Sequence, residues 1–255
     1  MCAARAKPVA VNNKKDSNMA QHELMGRSEN ELLWFQRREF ITAAASFLAM
    51  GGAATVVAQQ RSNIVQMQGD VLVNSRPISR QDYVQTGDTV RTGPGSSIVF
   101  VVGSSSFMMR QNSAITISRG DSINAVSVLR LITGGIASVW GKGKERRVVT
   151  NTTTLGIRGT GLYNEIMPDG RDYFCNCYGT IDLMAHEQKV ITESRYHTAF
   201  WIAPEGAGVA NSIKSAKGIN HTDEELEFLA MLAGQSTAWQ IYGKPGAHGG
   251  DAHSY

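Results

Sequence analysis

The chain predicts an all-β domain closed by one short helix, and three observations carry that reading. From Ile64 onward, short runs of strand-forming residues recur between Gly, Pro, Asn, Asp and Ser. Between Arg61 and Pro204 no helical periodicity of useful length appears. Beyond Pro204 the pattern changes once, to a segment with a helix start signal and a helical apolar face.

The strand runs, in order, are IVQMQGDVLVN, DTVRTG, SSIVFVV, SAITIS, AVSVLRLITGG, IASVWG, RRVVTN, GLYNEI, DYFCNCYGTIDLMA, KVIT and YHTAFWI. Alternation in AITIS and VSVLRL points to one packed and one wet face, because successive side chains leave a strand on opposite sides. The unbroken apolar run 98–102 reads as a buried strand. Gly87-Asp88 and Thr92-Gly93-Pro94-Gly95 are turn chemistry, with Asp88 capping its own turn.

The helix is expected over about 222–233 in NHTDEELEFLAMLAG. Thr222 as N-cap and Glu225 three residues on form a capping box, acids fill the first turn, and Gly234 supplies the stop. Leu226, Leu229, Ala230 and Ala233 share a face that can dock on the β-domain or on a partner. Before the helix, GAGVANSIKSAKG reads as a linker or peripheral loop. The ending YGKPGAHGGDAHSY reads as disordered, with His248 and His253 a weak metal-binding tract at most.

A chain of 255 residues, 42% hydrophobic and 18% charged, suits one mature globular domain with appendages. Residues 1–58 hold 7 basic and 5 acidic residues, leaving 18 against 17 beyond them. A near-neutral mature protein carries no electrostatic footprint for nucleic acid.

The N-terminal stretch QRREFITAAASFLAMGGAATVVAQQ places Arg37 and Arg38 before Phe40 and Ile41, then an uncharged run through Gln60. It resembles a twin-arginine export signal over 37–58, with Val56-Val57-Ala58 offering a cut after Ala58. The alternative is an uncleaved anchor, which would tie the protein to the membrane. Residues 1–36 read as a disordered leader, with Met19 or Met25 as other possible starts. The resemblance implies export to the periplasm or cell envelope in a folded state, often with a cofactor already loaded, and so raises the weight of any metal site.

The segment TNTTTLGIRGTGLYNEI sets Gly156, Gly159 and Gly161 between two strands. The spacing is wrong for a dinucleotide fingerprint, a Pro-Asp-Gly turn follows where a helix should open, and no Gly-Lys-Ser/Thr is present for a phosphate loop. In order and spacing, GDVLVNSRPI, VQTGDTVRTGPGSSIVFVV, MMRQNSAITIS, LRLITGGIASV, RVVTNTTTLGIRGTGLYNEI and CYGTIDL resemble the FecR domain, over roughly 64–202. That resemblance implies a β-rich, solenoid-like or twisted-sheet module over 59–210, followed by 211–255 as linker, short helix and tail. In it Gly156, Arg158, Gly159 and Thr160 are signature positions of a structural corner, and Gly87 and Asp88 are signature positions of a turn. Gly156 and Gly159 allow positive φ or close approach, and Arg158 is expected to donate to carbonyls left over where ladders stop. Two departures matter. GSSS at 103–106 replaces the usual Asp-Gly-Ser turn, leaving that hairpin open to question. A signal sequence also stands where the family's regulators carry a cytoplasmic helical domain, so the anti-sigma role does not transfer.

With Cys2 in the leader, the mature chain has Cys175 and Cys177, in DYFCNCYGTIDL. On a strand, residues two apart share a face. Three readings stay open: small buried hydrophobes, a disulfide within or between chains, or two thiolate ligands for zinc or copper with His197 and His186 as candidate partners.

The leading expectation is a non-catalytic, exported FecR-domain protein acting as a binding or signal-relay module in the cell envelope. Its partner would be an envelope protein, a peptide or a glycan, received at edge strands or beside the IRGTG corner. The alternative is a metal-binding or redox protein built on Cys175, Cys177 and His197. Enzyme activity is not expected: no Ser sits in G-x-S-x-G, and Glu165, Asp169 and Asp172 read as solvated turn carboxylates.

Overall fold

A computed structural model describes residues 23–28, 31, 62–141, 143, 145–204, 206 and 212–244. Arg37 and Arg38, the cut after Ala58, His248 and His253 lie outside the described residues. Among the described residues from 62 onward the fold is all-β, two twisted sheets followed by two short helices.

The front sheet holds β1 (Ile64–Gln68), β5 (Ser97–Val102), β6 (Ser105–Met109), the second half of β8 (Val126–Trp140), β11 (Gly161–Ile166), the first half of β12 (Asp172–Ala185), β14 (Thr198–Ile202) and β15 (Ile213–Ala216). The back sheet holds β2 (Val71–Val73), β3 (Arg76–Pro77), β4 (Thr89–Thr92), β7 (Ala114–Arg119), the first half of β8, β9 (Arg146–Val149), β10 (Thr153–Ile157), the second half of β12 and β13 (Gln188–Ser194). Among the described residues the named strands pair antiparallel except β8 with β9.

Two long strands, β8 and β12, belong to both sheets and bend between them at glycines with positive φ, Gly134 at 74° and Gly179 at 98°. A Cβ on Gly134 would lie 2.3 Å from Ser113 Oγ, and one on Gly179 2.5 Å from Thr160 Cγ2. Conformation and room both demand glycine there. The two runs AVSVLRLITGG and IASVWG, read separately from the sequence, are thus one bent strand. The GSSS departure does no harm, since Gly103-Ser104 closes a tight hairpin pairing Val102 with Ser105.

The alternation of side chains sorts the front sheet into two cores. Ile98, Phe100, Phe107, Leu162 and Phe174 face the back sheet. Val99, Val101, Met108, Tyr163, Tyr173, Cys175 and Cys177 face the other way, into a second cluster roofed by helix α1 (Asp223–Leu232). This is why β5 reads as an unbroken apolar run: both of its faces are covered.

Helix α1 starts at the expected capping box: Glu225 N donates to Thr222 Oγ1 at 3.3 Å, and Thr222 N donates to Glu225 Oε2 at 2.9 Å. Leu226, Phe228 and Leu229 are buried against the sheet, each worth about 1.5–3 kcal/mol of transfer free energy. Arg110, at the end of β6, donates to both carboxylate oxygens of Glu225 at 2.7 and 2.6 Å and fastens the helix start to the sheet. The helix therefore docks on its own domain. A second helix, α2 (Ala238–Tyr242), follows with its own capping box, Thr237 with Gln240.

Two boundaries differ from the sequence reading. Strand β15 lies in the stretch read as a linker and pairs with β14, so the domain does not end at 210. Residues 23–28 and 31, within the stretch read as a disordered leader, are held against the domain. Glu23 forms a parallel bridge with Ile219, and Arg27 pairs with Glu165.

Candidate metal centre

Cys175 and Cys177 lie on the first half of β12 and point into the second core, both fully buried as free thiols. They share a face because they are two apart on a strand. The turn between β13 and β14 delivers His197, whose backbone N–H donates to Cys177 O at 3.0 Å, and whose φ of 40° turns the ring back over β12. His221, fully buried, enters from the corner just before the Thr222 N-cap, after Asn220 at φ 57°. Non-glycine residues with positive φ are uncommon, and here they lie at His197 and beside His221.

The four donor atoms lie within 4.8 Å of one another. Zinc bonds of about 2.3 Å to sulfur and about 2.0–2.1 Å to nitrogen, at tetrahedral angles, place sulfur from sulfur at about 3.8 Å, sulfur from nitrogen at about 3.6 Å and nitrogen from nitrogen at about 3.3 Å. The corresponding separations are 3.9 Å between the two Sγ atoms, 3.6 Å from Cys175 Sγ to His197 Nδ1, and 3.1 Å from His197 Nδ1 to His221 Nε2.

The outer nitrogens decide what the inner ones offer. His221 Nδ1 lies 2.6 Å from the Ile219 carbonyl, which only accepts, so that nitrogen carries the proton. His197 Nε2 lies 2.8 Å from Asp223 Oδ1, which likewise accepts. In the neutral tautomers so fixed, His197 Nδ1 and His221 Nε2 present lone pairs toward each other. Facing lone pairs at 3.1 Å call for a cation between them, a proton or a metal. Asp223 is itself held at Oδ2 by Tyr196 Oη at 2.9 Å and Lys244 Nζ at 2.5 Å, and it opens α1, where a carboxylate suits the helix dipole. Tyr163 stacks on the His221 ring at 4.9 Å, and Trp239 lies 5.1 Å from the His197 ring, so the walls are aromatic.

The protonation pattern of the metal-free cluster follows from these neighbours. Burial raises the Cys175 thiol, but the bond from Cys177 and the adjacent His221 and His197 outweigh it and hold Cys175 well below the ordinary thiol range. Burial and the neighbouring Cys175 push Cys177 well above that range. Burial lowers His197, yet its bonds to Asp223 and Cys175 prevail and raise it to about 9.

Three of the four candidate ligands, Cys175, Cys177 and His197, are residues singled out from the sequence. His186 is not among them: its Nε2 contacts Ala203 O at 3.1 Å, away from the cluster. His221 and Asp223 went unread as site residues because they sit inside a helix start signal. A histidine directly before an N-cap, in a chain with an unassigned Cys-x-Cys, was the available clue.

The glycine-rich corner is of another kind. It joins β10 of the back sheet to β11 of the front sheet, with Gly159 at φ 79°. Gly156 makes a close approach, where a Cβ would lie 3.3 Å from Asp182 Cβ, and Thr160 is fully buried with its carbonyl accepting from Trp140 N at 2.9 Å. Arg158 departs from expectation. Its side chain is 69% exposed and pairs with Asp182 at 3.1 Å rather than with stray carbonyls. Gly87 has φ 102°, and Asp88 caps its turn by accepting from Gln85 N at 2.8 Å. Of the three carboxylates read as solvated, only Asp169 is exposed. Glu165 and Asp172 are buried: Tyr163, Arg27 and Asn220 hold the first, while the hydroxyls of Thr150, Thr152 and Thr153 hold the second.

No family model matches the chain and no curated protein does, so the motif resemblance gains no sequence match. Among solved structures the chain is similar to two of a "putative anti-sigma factor" from Parabacteroides distasonis. One aligns with 8% identity and a TM-score of 0.42, covering 56% of this chain and 64% of that one. The other aligns with 10% identity and a TM-score of 0.42, covering 58% and 65%. The chain thus spans slightly under two thirds of their length.

Proposed function

We propose that this chain is an exported β-module stabilised by one structural zinc ion, bound by Cys175 Sγ, Cys177 Sγ, His197 Nδ1 and His221 Nε2. The observation that supports it most is the spacing of the donors: the separations Cys175–Cys177, Cys175–His197 and His197–His221 are close to edges of a zinc tetrahedron, and all four donors lie within 4.8 Å of one another. Two thiolates balance a divalent ion, so the buried site carries no net charge. Zinc is favoured over Cu(II) because a d¹⁰ ion accepts a tetrahedron, whereas Cu(II) prefers tetragonal ligand sets. Four protein ligands close the coordination sphere and leave no position for a reacting water, so the role is structural and not catalytic.

The ion would join three parts of the chain. Cys175 and His197 are 22 residues apart, and His197 and His221 a further 24, so binding closes two long loops and pins the start of α1 to the front sheet. A rigid module of this kind suits the binding or signal-relay role in the cell envelope that the FecR resemblance implies. Passage through a twin-arginine route would allow the metal to be loaded before export.

The test is metal content of the purified full chain, by mass spectrometry of the native protein and elemental analysis. One zinc per chain is expected, with less than a tenth of that in Cys175→Ser and in His221→Ala. Equal metal content in the wild type and both variants would sink the reading.

A further inference from the structure

A second built site lies where the N-terminal segment meets the domain. Glu23 adds to the Gly218–Asn220 corner as a strand would, with Glu23 N donating to Gly218 O at 3.2 Å and Asn220 N donating to Glu23 O at 3.1 Å. The Asn220 side chain then reads both backbone groups of Met25: Oδ1 accepts from Met25 N at 2.8 Å and Nδ2 donates to Met25 O at 2.9 Å. Such contacts hold any extended chain, whatever its side chains. Gly26, at φ 70°, turns the segment so that the next side chain enters the protein.

That side chain is Arg27, only 7% exposed, whose Nε donates to Glu165 Oε1 at 2.8 Å. Glu165 is itself buried and is presented by Tyr163 Oη and Asn220 Nδ2 on its other oxygen, at 2.7 and 2.8 Å. The nearby Arg110 spends two of its N–H groups on Glu225, so Glu165 takes its cation from the N-terminal segment. A glycine in β8 makes the room: a Cβ on Gly135 would lie 3.1 Å from Arg27 Nη2. Downstream, Gln111 Nε2 and Arg110 Nη1 hold the side chain and carbonyl of Glu31 at 2.7 and 3.2 Å.

A backbone clamp, a glycine turn and a buried carboxylate awaiting a guanidinium are the parts of a peptide-recognition site. We propose that this groove recognises an extended segment of the form x-Gly-Arg, that residues 23–28 and 31 fill it in cis, and that a partner's Gly-Arg segment takes their place once the leader is cut away. The segment lies ahead of the cut expected after Ala58, so processing would remove its tether and with it the high effective concentration that keeps the groove filled. The partner is a peptide or an unstructured protein segment with arginine; a neutral glycan can offer hydroxyls to Glu165 but no cation to pair with it.

The test uses the full chain with a protease site inserted between Ala58 and Gln59, cut after folding and passed at low concentration over a sizing column. A fluorescent peptide of residues 21–33 is then added, alongside its Arg27→Ala version. Either the freed leader departs and the wild-type peptide binds saturably, or the leader stays and the wild-type peptide displaces it. In both cases the Arg27→Ala peptide is at least about tenfold weaker, as loss of a buried charged hydrogen bond requires. Circular dichroism and the melting temperature report the fold separately. The proposal is overturned if the two peptides act equally, or if neither binds or displaces the leader while the fold is intact.

Discussion

Two corners of this molecule invite comparison, the Gly156–Gly161 corner and the Cys175–His221 corner. The first is conspicuous in the sequence and chemically plain in the structure. Its glycines let the chain pass from one sheet to the other, and its arginine lies in solvent beside Asp182. The second is faint in the sequence, a Cys-x-Cys and two scattered histidines, yet it brings four potential ligand atoms inside 4.8 Å. Glycine clusters report backbone geometry, which is local. Ligand sets report tertiary contact, which spacing along the chain does not encode.

The comparison is most exposed to metal removal. Stripping zinc from the full chain with a strong chelator should undock α1 and lower stability by about 4 kcal/mol where free zinc had stood a thousandfold above its Kd, read as a fall in Tm. An unchanged Tm would place both corners in the same, merely structural class. Acid should act in the same direction, since protons compete with metal for thiolate and imidazole.

Next comes the backbone corner itself. In Gly161→Ala the new Cβ would meet Tyr178 Cε1 at 2.3 Å, and overpacking of that kind costs about 1–3 kcal/mol in chemical denaturation. Zinc affinity should hardly move, and a large loss of it would show that the two corners are coupled.

Asp223→Asn sharpens the ligand side. The variant keeps the shape but weakens the carboxylate that orients His197, so zinc affinity should fall about 10–100-fold in competition with a metal-sensing dye. Retained full affinity would mean that Asp223 serves only Tyr196, Lys244 and the helix start. The smallest effect is Arg158→Ala, expected within about 0.5 kcal/mol of wild type because the side chain is exposed and its ion pair screened. A loss several times larger would restore to this arginine the structural role the sequence suggested.

Much of the fold was legible because it rests on local signals. Strand runs, turn residues and the Thr222–Glu225 capping box act within a few residues, and they placed most strands and α1. Short or weakly apolar strands escaped: β3, β6, β10 and β15 owe their state to the neighbours they pair with. The bend at Gly134 was invisible for a related reason, because a glycine pair inside an apolar run reads as an ending. Of the Cys-His cluster, the thiols and His197 could be singled out by residue type. His221 and Asp223 could not, since only folding brings the N-cap of α1 over β12. The burial of Glu165 was equally hidden, because its partner Arg27 lies 138 residues away in a stretch read as disordered.

The most direct measurement is X-ray absorption at the zinc edge on the full chain as purified. Two sulfur scatterers at about 2.3 Å and two nitrogen scatterers at about 2.0–2.1 Å are expected, with the outer-ring signature of two imidazoles. A shell of oxygen and nitrogen alone, or a protein that binds no zinc when folded with both thiols reduced, would contradict the metal centre.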